Sequence, residues 1–216
     1  MKNSPALYNA DYYEDGINSG KSCYVNYRWL PDLTIPMVQR MIDYLGIRAE
    51  ESVLDFGCAK GYTVKAFRQL GIAAYGVDVS SYAIANAPID IKGFVRKIAS
   101  GENIPLLGRG KTYDWFIVKD TLEHVAEQDM HKQLVCLAEA CKIGLVIVPL
   151  GDGKKYIVPD YEKDVTHITC KPMRWWVDAL EEAGFAIGRA CYRVFGIKDN
   201  WSKWPKGNGF IEVQVK

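Results

Sequence analysis

Val53-Leu54-Asp55-Phe56-Gly57-Cys58-Ala59-Lys60-Gly61 decides the fold of this chain. A short apolar run ends in a carboxylate, and a glycine-rich turn leads at once into a helical pattern. That order reads as strand, tight loop and helix start. Gly57 and Gly61 lack a Cβ, so backbone can come close to a ligand there. The loop then brings the free N–H groups of a new helix to the same place. A dinucleotide pyrophosphate is poorly served by a carboxylate just before the glycines. A ligand carrying an ammonium group or hydroxyls is well served.

A second apolar run, Ala73-Ala74-Tyr75-Gly76-Val77-Asp78, follows one helix later and also ends in an acid. Its offset from the first glycine places Asp78 at the tip of the neighbouring parallel strand, where a carboxylate can accept both hydroxyls of a ribose. The two acids around the glycine turn resemble class I S-adenosylmethionine-dependent methyltransferases. That family's pattern is an acid, any residue, then Gly-x-Gly-x-Gly; here Ala59 replaces the middle glycine. The resemblance continues through Tyr113 to Val125 (fourth strand and following loop), Cys141 to Pro149 (fifth strand) and Leu180 to Phe185 (end of the last helix). It spans roughly residues 34 to 216.

The expected fold is therefore α/β, a doubly wound, seven-stranded, mostly parallel sheet. The alternation of strand and helix gives the parallel sheet; the resemblance implies seven strands with the last antiparallel. The strands read as 52–56, 73–78, 92–97, 113–119, 143–149, and a terminal antiparallel pair at 185–195 and 209–215. Helices are expected at 60–70, from Ser80 or Ser81, at 129–142 and at 172–183. Residues 1–33, crowded with tyrosines, read as a lid over the cofactor end, ahead of a methyltransferase domain at 34–216. Thr34 is the expected N-cap of the helix that Gly46 stops, with Pro36 in its first turn.

The resemblance implies S-adenosyl-L-methionine as cofactor. Asp55 serves its amino group, Gly57, Cys58 and Gly61 its backbone approach, Asp78 the ribose, and Val79, Gly101 and Glu102 the adenine side. Ser100 stands where an aspartate is common in the family. Asp120 leaves the fourth strand beside the expected methyl group. It has three readings: cofactor wall, substrate contact, or cap of the turn at 121–125. His124 reads as structural or catalytic. His167, with Asp164 nearby, is the preferred base, against a loop-structural role. Tyr12, Tyr13, Lys21, Tyr27, Arg28 and Trp201 are candidates for substrate binding, or for a clamp that merely holds the terminal segment.

Composition narrows the function. The chain has 216 residues, 49% hydrophobic and 25% charged, with a net charge of +1. That is ordinary for one globular domain and leaves no global electrostatic footprint for DNA. No apolar run is long enough for a bilayer and no signal peptide is evident, so a cytoplasmic location is expected. The six cysteines form no C-x-x-C pair, and no metal-ligand spacing is evident, so no metal dependence is expected. A base favours oxygen as the methyl acceptor, so O-methylation of a small polar metabolite, a sugar or sugar nucleotide, is the leading expectation. N- or C-methylation of another small molecule and a non-catalytic cofactor-binding module are the alternatives. RNA methylation stays open, but the tetrad that holds a flipped base is replaced by Lys119-Asp120-Thr121-Leu122. A nicotinamide oxidoreductase would space its glycines differently and lack the acid at Asp55.

Overall fold

The computed structural model describes residues 4–108 and 110–216. Its centre is β1 (Ser52–Phe56), in which Val53 and Leu54 are both fully buried. Burial of successive residues means both faces of the sheet are covered, as in parallel α/β sheets. Parallel partners flank β1: β2 (Ala73–Asp78) on one side and β4 (Tyr113–Lys119) on the other. The full order is β3-β2-β1-β4-β5-β7-β6, with β3 at Val95–Lys97, β5 at Cys141–Pro149, β6 at Phe185–Cys191 and β7 at Asn208–Val215. Strand β7 runs antiparallel between β5 and β6. This is the expected seven-stranded sheet.

Helices cover both faces. On one side α6 (Glu127–Ala140) and α7 (Met173–Glu182) bury Leu134, Leu137, Trp176 and Leu180 against Phe116, Val146 and Ile211. On the other, α3 (Pro31–Leu45) and α4 (Tyr62–Gln69) bury Val38, Met41, Val64 and Phe67 against Val53, Ile117 and Ile147. The short α5 (Ser81–Ala85) follows β2, capped by Ser80 Oγ on Ala83 N. Removing these side chains from water stabilises each face by roughly 1.5–3 kcal/mol per large residue.

Several boundaries differ from the sequence reading; the expected strand 185–195, for one, ends at Cys191, and the strand expected from 143 begins at Cys141. Helix α3 starts at Pro31, not Thr34, because a proline at N1 loses no hydrogen bond and fixes the right φ; Thr34 and Pro36 lie inside it. Strand β3 shrinks to three residues because Lys92–Phe94 winds into a 3-10 turn. Helix α6 begins two residues early, with Glu127 and Asp129 in its first turn. Among the described residues, no helix is long and apolar enough to cross a membrane.

Residues 5–30 form a 3-10 turn and the short helices α1 (Ala10–Glu14) and α2 (Gly16–Ser19), joined by irregular backbone. Several hydrogen bonds fasten this segment to the loops and helices that follow β1 and β2, among them those of Ser80 and Lys60. Ser80 Oγ donates to Tyr8 O at 2.6 Å, Lys60 Nζ donates to Glu14 Oε1 at 2.5 Å and to Tyr27 O at 2.8 Å.

Candidate active site

The carboxyl ends of β1, β2 and β4 carry the chemistry, as they do in open α/β sheets. Gly57 follows β1 at φ +82°, and its N–H, with that of Cys58, donates to Val77 O at 2.8 and 3.1 Å. A Cβ at Gly57 would stand 2.2 Å from Thr121 Oγ1, so any other residue would push the β4 loop away. Gly61 (φ +77°) ends the turn; a Cβ there would strike Ile91 and Val95. Ala59 takes a left-handed φ of +49° without being glycine. Its N–H donates to Asp78 Oδ2 at 2.8 Å, while Ser80 N donates to Oδ1 at 2.7 Å. Asp78 thus fixes the turn, and each of its oxygens keeps a lone pair for a further hydroxyl.

The turn borders a narrow cavity of about 170 Å³; Gly61, expected at the cofactor, is not in its wall, because the space a Cβ would take there is filled by Ile91 and Val95. Asp55, Gly57, Cys58, Asp78 and Val79 are in the wall, together with Tyr8, Tyr12, Tyr13, Tyr24 and Tyr27. Burial raises the Asp55 carboxyl to about 7; Lys119 opposes the rise and Asp78 adds to it. Burial also raises Asp78, against the hydrogen bonds from Ser80 and Ala59. Gly101 and Glu102 are not in the wall. Gly101 N donates to Gln133 Oε1, and Glu102 Oε2 accepts from Ala99 N at 2.6 Å, closing its own turn. Ile98, Ser100 and Gln133 stand there instead, and Gln133 Nε2 is buried with no partner among the described residues.

A second cavity, about 610 Å³, adjoins the first. Tyr12, Tyr24, Tyr27, Lys119, Asp120 and His124 belong to both walls. Trp201 and His167 line the second alone. Lys21, paired with Asp11 at 2.6 Å, and Arg28, an exposed side chain, line neither.

Asp120 sits at the junction with φ +54°. Lys119 Nζ bonds its Oδ2 at 2.8 Å, and Lys198, which reaches back from the loop after β6, bonds its Oδ1. Burial works against the charge on Asp120, but the two ammonium groups outweigh it and hold the carboxyl well below its ordinary range. Lys198 also has a left-handed φ, +59°. Such strained residues cluster where surrounding structure over-determines them.

The 164–169 segment is stapled to the turn after β4. Ile168 N and Thr169 N both donate to Glu123 O, at 2.9 and 3.0 Å, and Thr169 Oγ1 donates to Val125 O. Asp164 accepts from Tyr12 Oη at 2.6 Å and from Thr166 Oγ1 at 2.5 Å. With its proton given to Asp164, Thr166 Oγ1 accepts from His124 Nδ1 at 2.9 Å, which leaves His124 Nε2 as the ring's lone-pair nitrogen. His167 Nδ1 lies 2.8 Å from Tyr161 O and must donate to it, so its Nε2 is likewise free to accept. Burial lowers both imidazoles, His124 to about 4, so both are neutral near pH 7. Glu123 is fully buried, neither carboxylate oxygen has a partner among the described residues, and burial with repulsion from Asp120 raises its pKa strongly.

Sequence reasoning missed Tyr8, Tyr24, Lys119, Glu123, Thr166 and Lys198. Lys119 and Glu123 flank Asp120 and His124, and that adjacency was the available signal. Nothing local marks Lys198, 78 residues from its partner.

Residues 28–188, well over half of the chain, match a family model described as a methyltransferase domain. Solved structures share the fold at low identity. Mitomycin 7-O-methyltransferase MmcR superposes with a TM-score of 0.62 at 16% identity, over 86% of this chain and 54% of that one. This chain therefore spans about half of that protein. A putative methyltransferase from Haloferax volcanii, in complex with the Trm112 activator, gives 0.62 at 15% identity, over 86% and 91%. Glycopeptide N-methyltransferase MtfA, complexed with sinefungin, gives 0.61 at 12% identity, over 85% and 87%. No curated protein sequence matches the chain.

Proposed function

Because the chain belongs to the class I S-adenosylmethionine-dependent methyltransferases, we propose that its reaction is O-methylation of a small polar metabolite, a sugar or sugar nucleotide being the leading class. The observation that carries this reading is the pair of adjoining cavities with Asp120 and His124 in the wall common to both. A donor in one cavity and an acceptor in the other would meet at that wall.

The residues of the narrow cavity fit the cofactor. The Gly57 turn leaves room for close backbone approach, Asp78 keeps lone pairs for a ribose, and the orphaned Gln133 Nε2 supplies a donor that an adenine nitrogen can satisfy. Asp55 would take the ammonium. When bound, S-adenosylmethionine supplies a methyl group activated by a sulfonium. The chain's own residues then have three tasks. The tyrosines of the wall exclude water, the junction aligns the acceptor in line with the methyl group, and a group on the acceptor side removes a proton from the attacking hydroxyl. The third task favours oxygen over an amine, which needs only to be held neutral. Glu123, His124 and His167 gather at the acceptor cavity for it. The flat walls of Tyr161 and Trp201, set against the acids Asp160 and Asp164, suit the apolar faces and hydroxyl rims of a sugar ring.

Incubation with methyl-labelled cofactor and a panel of sugars, sugar nucleotides and other small metabolites tests this. The reading expects label on an acceptor oxygen. It also expects His167→Ala to lose most turnover while keeping its affinity for S-adenosylhomocysteine. Label found on nitrogen or carbon, or full turnover in the variant, would overturn it.

A further inference from the structure

The strongest unexplained feature is Glu123. A fully buried carboxyl with two unpartnered oxygens can hold a charge there only when a cation compensates it, and it gives up its proton when one binds. One ring nitrogen each from His124 and His167 lies within 4.8 Å of a Glu123 oxygen and of each other. We propose that Glu123, His124 and His167 bind one divalent first-row cation in the wall of the acceptor cavity, where it holds two neighbouring oxygens of the acceptor. This deepens the O-methylation reading and rests on it for the role of the ion, though not for its binding.

Donor chemistry supports the site. Two imidazoles and a carboxylate form the set that suits zinc, manganese and iron rather than calcium. Metal-bound histidines almost always give their second ring N–H to an oxygen, which fixes the tautomer. Both histidines do so here: His167 Nδ1 with Tyr161 O, and His124 Nδ1 with Thr166, itself bonded to Asp164. Each Nε2 remains without a hydrogen bond among the described residues. Bonds of about 2.0–2.2 Å to one ion allow two donors to stand at most about 4.4 Å apart. His167 Nε2 and Glu123 Oε1, at 3.8 Å, already meet that limit.

Two acids stand at the site: Asp164 has its Oδ2 4.0 Å from His167 Nε2, and Glu123 Oε1 is 3.8 Å from the same nitrogen. Lys119 and Lys198 exceed the single charge of Asp120 by one, so with Glu123 ionised these five side chains carry one net negative charge to set against the ion. Three donors leave open positions, as catalytic sites do. A hydroxyl on one such position would have a lowered pKa: its oxygen bonds the methyl carbon as the sulfonium S–C bond breaks, and its proton passes to solvent, so with the ion bound the three residues serve as ligands and not as the proton's acceptor. The cluster escaped detection by spacing because His167 lies 43 residues beyond His124 and arrives only through the staple on Glu123 O.

Metal-free enzyme, titrated separately with manganese(II) and zinc(II) chloride and read by paramagnetic resonance of free manganese and by elemental analysis after dialysis, tests the site without donor or acceptor. One saturable equivalent of either ion per chain is expected. Losing an outer partner typically costs 10–100-fold in affinity, so Thr166→Val should weaken binding by about that factor. Glu123→Gln and His167→Ala each remove a ligand and should cost at least about 100-fold, with S-adenosylhomocysteine affinity retained as proof of folding. Failure of the wild type to bind either ion, or wild-type affinity in a folded Glu123→Gln or His167→Ala variant, overturns the site. Because the titration contains no methyl acceptor, such a result leaves the methyl-transfer reading standing, and a failed label transfer leaves the ion site standing.

Discussion

Asp55→Asn separates what the site needs from what the fold needs. The Asp55 carboxyl sits at the tip of β1 with 5% of its residue surface exposed, and burial raises its pKa from 3.8 to about 7. A difference of about 3 in pKa is worth about 4 kcal/mol. The sign follows from the folded value lying above the unfolded one. Asp55's contribution to stability is fully present below about pH 4, and it is lost as the pH rises to about 7. The ligand-free Asn variant should therefore be more stable than wild type at pH 8, by up to about 4 kcal/mol, and no more stable at pH 4. Urea unfolding at the two pH values measures this. Cofactor binding should show the converse. An ammonium requires the ionised carboxylate, so a proton must leave on binding below pH 7. At pH 6 a group with a pKa of about 7 is about nine-tenths protonated, which predicts release of about 0.9 proton and about tenfold weaker binding than at pH 8.5. Calorimetry in two buffers of different ionisation enthalpy reads the proton count directly. Buffer-independent heats at pH 6, together with unchanged affinity in Asp55→Asn, would refute both the buried charge and its pairing with the ammonium.

Three further substitutions follow from backbone and packing. Ala59→Gly removes a side chain from a left-handed position and should stabilise the chain by about 1 kcal/mol in urea unfolding, with cofactor affinity kept. Gly144→Ala puts a Cβ 2.2 Å from the buried Phe116 ring, so it should cost about 1–3 kcal/mol in the same assay without altering the site. Tyr12→Phe deletes the 2.6 Å bond to Asp164; it should cost about 1–3 kcal/mol and raise the acceptor KM in steady-state kinetics, with cofactor affinity little changed.

The parts of the site that are local in the chain were readable from it. Asp55 and Asp78 close apolar runs and flank a glycine turn, and the structure sets both at adjacent strand tips around one cavity. The alternation of β and α elements was equally plain, because parallel strands must be long apolar runs joined by helices. The residues that needed tertiary information were not readable. Glu123 looks like a helix-surface acid until the 164–169 segment covers it, and Lys198 lies in a loop whose return to Asp120 no pattern encodes. Glu102 stands where the resemblance implies an adenine contact, and its carboxylate closes its own turn on Ala99 N, a local bond that short-range acids often make. Lys21 and Arg28 belong to the tyrosine-rich segment but turn to Asp11 and to solvent, so segment membership did not fix the side chain's direction.

A structure of the chain with S-adenosylhomocysteine tests the central claim most directly. It should place the ribose hydroxyls on Asp78 and the sulfur at the wall between the two cavities, beside Asp120 and His124. A nucleoside bound away from Asp78, or a sulfur pointing away from the larger cavity, would contradict the account.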